Sequence, residues 1–179
     1  MATDEELMRA YVAGDHAAFR ALFERRGPDL LRLVRRHVES DDVAKDLVQQ
    51  TFLRLHAARN DFRDGAKLRP WLLTIAMNLV REHWRRRKRR PSAELDESRH
   101  AAEEPRDERE EARRAARVRE ALAELPDGHR EVVELHFFQG LPYAEVAAIV
   151  GGSEGAVRVR AHRAYKKLAQ LLAELGGAS

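Results

Sequence analysis

Between Ser153 and Lys167 stand five cations, Arg158, Arg160, Arg163, Lys166 and Lys167, against a single acid, Glu154. On a helical wheel of about 100° per residue, Val157, Ala161, Ala164, Leu168, Leu171, Leu172 and Leu175 form one apolar stripe. Arg158, His162, Arg163 and Lys166 lie opposite, with Val159 among them and Arg160 and Lys167 towards the flank. Side chains of these types on one helix suit a particular chemistry. Arginine donates paired hydrogen bonds to guanine edges, lysine neutralises phosphate, and an apolar side chain meets the thymine methyl. Ser153 is an N-cap type, and the preceding LPYAEVAAIVGG supplies a short helix and a glycine turn, so the pair reads as a helix-turn-helix. The alternative is an ordinary solvated face. The local excess of cations, in a segment that is otherwise net negative, favours DNA contact.

A second set of cations is less specific. HWRRRKRRP places six consecutive basic residues, Arg85 to Arg90, after a tryptophan and before a proline. Such a run is open to reading as an address tag, a disordered arm or the end of a folded DNA-binding domain. Upstream, NDFRDGAKLRP sets Arg63, Lys67 and Arg69 near Phe62 and Trp71. Basic residues beside aromatics suit the backbone and bases of a single strand, and a plain solvated loop is the alternative.

A third set suits a protein partner. In DDVAKDLVQQTFLRLHAA, Val43, Leu47, Val48, Thr51, Phe52 and Leu55 make a core stripe. On the far face Asp42, Asp46, Gln49 and His56 surround Leu53. A leucine ringed by carboxylates and amides is either a docking site or a contact within its own domain.

These faces need rigid elements to hold them, and the sequence supplies helices. Apolar residues recur at helical spacing almost throughout, without alternating β-branched runs, so the expected fold is all-α. Thr3 and Glu6 form a capping-box pattern. Helices are expected over 17–26, 29–38, from Ser40 or Asp41 to Ala58, and from Pro70 into the basic run, with Gly27-Pro28 dividing the second from the third. Residues 91–108, acidic and bearing Pro91 and Pro105, read as a tether. Further helices are expected over 110–125, 129–138, 143–150 and 154–175. The chain thus divides into a helical domain at 1–90, a flexible acidic linker at 91–112 and a second helical domain at 113–179.

Composition narrows the function further. Of 179 residues 35% are charged, above the roughly 25% of an average soluble domain. Residues 1–90 hold 20 Lys and Arg against 13 Asp and Glu, so the basic character is local. The absence of cysteine excludes disulfides, thiolate metal sites and a cysteine nucleophile. The N-terminus has no apolar signal core, and the longest mainly apolar stretch, 71–80, is about half of the roughly 20 residues a membrane helix needs. A cytoplasmic protein without membrane insertion is expected.

Taken in order, DVAKDLVQQTFLRLH, RPWLLTIAMNLVREHWRRRKR and LPDGHREVVELHFFQGLPYAEVAAIVGGSEGAVRVRAHRAYKKL resemble the sigma-70 family of bacterial RNA polymerase sigma factors. The resemblance is to the compact extracytoplasmic-function group, with a sigma-2 domain, a linker and a sigma-4 domain, and it covers nearly the whole chain. It implies that Asp42, Asp46, Gln49, Gln50 and Leu53 engage the polymerase core enzyme. It implies that Asn60, Phe62, Arg63, Lys67, Arg69, Asn78, Arg81, Arg85 and Arg86 meet the −10 element as it opens, a base being flipped into a pocket of the loop. It places Ser153, Glu154, Arg158, Val159, Arg160, His162, Arg163 and Lys166 on the −35 element, the linker in the polymerase cleft, and an anti-sigma factor among the partners. Gln50 departs from the glutamate frequent at its position, and Ala156 and Val159 from the usual threonine and small polar residue.

Two other classes compete. A free-standing helix-turn-helix regulator would use residues 1–90 for dimerisation or effector binding, and would have no need of the face around Leu53. An enzyme would need a catalytic constellation, and the eight histidines include no helical HxxxH pair, nor is there a P-loop. No catalytic residue, cofactor or metal is expected; His129 and His136 read as surface or partly buried histidines.

Overall fold

The computed structural model describes residues 2–38, 40–63, 65–89 and 106–176, with side chains described in all of these except 106–112, 175 and 176. Arg90 and most of the expected linker, 91–105, lie outside the described residues. Every regular element among them is helical, and the chain divides into two compact units, 1–96 and 97–179.

The first unit holds four helices, α1 (Asp4–Val12), α2 (His16–Arg35), α3 (Asp41–Ala57) and α4 (Leu68–Arg89), with one short 3₁₀ turn at Arg59–Asp61. The capping box forms as expected: Thr3 Oγ1 accepts from the Glu6 amide at 3.1 Å and Glu6 accepts from the Thr3 amide at 2.7 Å. Asp15 caps α2 by accepting from the Ala17 amide at 2.9 Å. The core joins residues from all four helices, among them Met8, Leu22, Leu33, Leu55, Met77 and Val80. Each such side chain contributes about 1.5–3 kcal/mol when fully buried.

The structure corrects the division at Gly27-Pro28, because α2 runs unbroken through both residues. Proline removes its own amide donor and crowds the carbonyl four residues back, which disfavours helix continuation. Here Leu22, before the proline, and Leu30, Leu33 and Val34, after it, are all buried, with α2 packed on α1, α3 and α4. That shared burial outweighs the local signal. The fourth expected helix is α3, although Ser40 makes no side-chain cap bond. α4 begins at Leu68, ahead of Pro70, which leaves the proline in the first turn where its missing amide is harmless.

α1 braces the connection between α3 and α4. The Tyr11 hydroxyl is hydrogen-bonded to Nδ1 of His56, near the end of α3. Glu5 accepts from the amide of Leu68, the first residue of α4, at 3.1 Å. Asp4 in turn takes Arg25, at 2.9 Å, and Arg26 from α2.

The second unit contains α5 (Arg106–Ala123), α6 (Asp127–Val133), α7 (Tyr143–Val150) and α8 (Glu154–Gly176). α5 starts inside the segment that the sequence reads as linker. α6 continues into a widened π-type turn at Glu134–Phe138, so the expected single helix over 129–138 changes pitch midway. Leu122, Leu125, Val133 and Ala164 form one core cluster, with Val118, Tyr165, Leu168 and Leu171 packed against it. Arg130 closes the α5–α6 corner by donating to the carbonyls of Leu122, at 2.7 Å, Ala123 and Leu125, at 3.5 Å. The Leu122 carbonyl also accepts from the Leu125 amide at 3.2 Å, so the guanidinium adds to the turn that ends α5.

Candidate interfaces for protein and nucleic acid

The face around Leu53 is fully presented. Asp42, Asp46, Gln49, Gln50 and Leu53 are all exposed along α3, Leu53 with 59% of its surface. Behind them Ala44, Leu47, Val48, Thr51, Phe52 and Leu55 are buried, and Thr51 donates to the Leu47 carbonyl at 2.7 Å. Val43, expected in the core stripe, is only half-buried. It lines an open cleft of about 170 Å³ between α3 and α4, together with Asp46, Leu47, Gln50, Leu79, Glu82, His83 and Arg86. Burial pushes the His83 imidazole below its ordinary pKa, with the Arg86 charge adding to the shift. Asp41, at the start of the helix, accepts from Arg35 at 2.5 Å and Lys45 at 2.7 Å, which brings its carboxyl down to about 2.

The loop before α4 gathers the second set. Asn60, Arg63 and Lys67 are exposed and Arg69 is half-exposed. Phe62 leans against Trp71, with ring centroids 5.5 Å apart and planes at 33°, so it is partly withdrawn into the domain. Arg59 donates to the His56 carbonyl at 2.8 Å and keeps the loop close to α3. Along α4, Trp71, Asn78, Arg81 and Arg85 fall within about 60° of one direction, so loop and helix expose polar and cationic groups in sequence. Asn78, Arg85 and Arg86 are exposed and Arg81 is half-exposed. Trp84 is half-buried and donates its indole N–H to the His37 carbonyl at 2.9 Å, anchoring the helix just where the basic run begins. Arg85 to Arg89 are exposed from there on, and the cations suit the C-terminal end of the helix dipole.

In the second unit, α7 and α8 are joined through Gly151 and Gly152, at φ +79° and +116°. A residue with a Cβ would be strained at either position. Ser153 caps α8 by accepting from the Ala156 amide at 3.2 Å. Val157, Ala161 and Ala164 are completely buried. Leu172 is half-buried, and the side chain of Leu175 lies outside those described. Ser153, Glu154, Arg158, Val159, His162, Arg163 and Lys166 are exposed; the last five lie on the face opposite Val157, with Ser153 and Glu154 at the start of the helix. Val159 leaves 51% of its surface open among these polar neighbours.

Arg160 is only half-exposed and turns towards the start of α6, where a β-carbon at Gly128 would stand 3.9 Å from its guanidinium. Burial lowers the pKa of His129, helped by the charges of Arg160 and Arg163. His129 therefore belongs beside the basic face, a placement that its position in the chain does not disclose.

Tyr143, which no pattern in the sequence singles out, lies against this face as well. The Arg158 guanidinium sits over its ring at 5.3 Å from the centroid. Arg158 also donates to Glu154 at 2.6 Å. The cue available in the sequence was an aromatic residue opening the first helix of the pair, but the stack itself joins separate elements.

Among the described residues no cluster of His, Asp and Glu could hold a metal ion, and no helix is long and apolar enough to cross a membrane.

Comparison with known proteins matches residues 22–90 to the family description Sigma-70 region 2, and residues 115–168 to Sigma-70, region 4. The chain is 36% identical over 170 residues to RNA polymerase sigma factor CarQ of Myxococcus xanthus, covering 94% of this chain and 97% of the relative. It is 35% identical over 173 residues to ECF RNA polymerase sigma factor SigM of Mycobacterium tuberculosis, covering 97% and 86%. Among solved structures, CnrH in complex with the cytosolic domain of CnrY is similar with a TM-score of 0.72 at 31% identity, covering 96% and 97%. The sigma factor RpoE in complex with the anti-sigma factor NepR from Bartonella quintana also gives 0.72, at 28% identity, covering 86% and 96%.

Proposed function

Since the chain belongs to the sigma-70 family, in its extracytoplasmic-function group of RNA polymerase sigma factors, we propose that its three exposed faces divide promoter-directed initiation among them. Residues 1–90 act as the sigma-2 domain, 113–179 as the sigma-4 domain, and 91–112 as the tether that enters the polymerase cleft. The face of Asp42, Asp46, Gln49, Gln50 and Leu53 docks on core polymerase. The loop from Asn60 to Arg69, with Asn78, Arg81, Arg85 and Arg86, holds the −10 element as it opens. The outer face of α8 reads the −35 element in the major groove. The basic run beyond Trp84 supplies grip on phosphates, and base reading belongs to the loop and to α8.

The observation that carries this reading is the exposed leucine of α3 among carboxylates and amides, in the same chain as a Ser-capped helix-turn-helix. A free-standing regulator needs the second feature and not the first. The chain catalyses no step itself; it acts in the cytoplasm, where core enzyme and promoter are found. By its likeness to RpoE, bound to NepR, it is held inactive by an anti-sigma factor.

The experiment is transcription from a promoter library by core enzyme with and without the purified protein. Start sites that depend on the protein are expected. Binding to promoter duplex unaided, with none to core enzyme, would overturn the proposal in favour of a free-standing regulator.

A further inference from the structure

We propose that Tyr143 is a positioning residue for −35 recognition, its ring holding the Arg158 guanidinium in a reading orientation before DNA arrives. This rests on the assignment of Arg158 as a base-reading residue. Three elements build the arrangement. The His136 ring, from the widened turn after α6, stacks on Tyr143 at 3.8 Å between centroids and 21° between planes. His136 is itself fixed, since its Nδ1–H donates to the Leu141 carbonyl at 2.7 Å. Arg158 then lies over the Tyr143 ring, one turn into α8.

The two contacts on Arg158 differ in what they leave available. Glu154 occupies a guanidinium N–H, and a base contact through that donor must displace the carboxylate. The tyrosine face attracts the cation through its ring quadrupole and occupies no N–H, so the donors remain open to guanine while the stack persists. Arg158 has a long side chain with 64% of its surface exposed. Without the ring it would be restrained chiefly by an exposed ion pair, a weak tether. Tyr143 is half-exposed and is not among the buried residues of α7, which are Val146, Ala147 and Ile149, so core packing alone does not account for it.

The test uses the full chain with core polymerase on promoters that differ by single base pairs across the −35 element. Initiation is compared between promoters within each preparation, so that the folded fraction cancels. Arg158→Ala is expected to flatten the preference at one base pair. Tyr143→Leu is expected to reduce that same preference about two- to fivefold, the size of an exposed cation–π contact. Tyr143→Phe retains it, and the double variant Tyr143→Leu, Arg158→Ala loses no more than Arg158→Ala does. If Tyr143→Leu lowers initiation equally on all promoters and leaves the preference intact, the positioning role is wrong while the reading of Arg158 stands. If Arg158→Ala changes no −35 preference, the assignment beneath the proposal fails, and the proposal with it.

Discussion

Arg54 of α3 donates to Glu82 of α4 at 2.9 Å, and the other oxygen of the same carboxylate takes Arg86. One acid thus joins the helix that carries the proposed polymerase face to the cationic end that is proposed to grip DNA. The Arg54 hydrogen bond, followed by the Arg86 charge, lowers the Glu82 pKa below the usual carboxylate value. A lowered pKa stabilises the fold above the unfolded-state value, and that stabilisation is lost as pH falls through the folded-state one.

Glu82→Gln should therefore flatten the acid side of the stability profile, seen as a smaller change in urea midpoint between neutral and acidic pH. It also frees Arg86. Promoter affinity at low salt should rise, with a steeper fall as salt is added, which a salt titration of holoenzyme binding measures.

Neutralising Arg85 and Arg86 to glutamine acts in the opposite direction. If both meet phosphates, the slope of log affinity against log salt should shrink by about 0.7–0.9 for each. Binding weakens on every promoter alike while core binding is kept. A changed −35 preference would contradict the assignment of this run to grip.

Leu53→Asp tests the protein interface. Leu53 is exposed, so stability should move by no more than about 0.5 kcal/mol. Association with core enzyme, followed by fluorescence anisotropy of the labelled protein, should fall at least about tenfold if this leucine is a central anchor. Wild-type affinity for core would remove the docking role of this face.

Arg130→Met removes the donors that close the α5–α6 corner, while the Leu122 carbonyl keeps its bond from the Leu125 amide. Charged hydrogen bonds of this kind contribute about 1.5–3 kcal/mol, so the sigma-4 unit should lose roughly that much in urea unfolding. Arg130→Lys should not restore it, because a single ammonium lacks the planar fork that reaches several carbonyls.

Patterns within one helix were legible in the sequence. The two faces of α3 and of α8 follow from residues three and four apart, and the Thr3–Glu6 capping box from a local spacing that the structure reproduces. What was not legible depends on residues brought together by packing. Tyr143, His136 and Arg158 come from three elements, and Glu5 reaches Leu68 from 63 positions away. The continuity of α2 through Pro28 is of the same kind, since local chemistry favours a break and burial on both sides prevents it. Periodicity alone puts Val43 in the core, yet it borders the cleft that α4 leaves beside α3.

The brace made by α1 bears on how the opening strand would be met. Tyr11 ties the approach to the loop and Glu5 ties its exit, so one helix sets the distance that the loop between them must span. Holding both ends restricts the conformations open to the residues between them, and by that much lowers the ordering cost when a strand arrives. Residues 4 to 11 would by this route contribute to promoter affinity from behind the loop, as a frame contributes to the tautness of what is stretched across it.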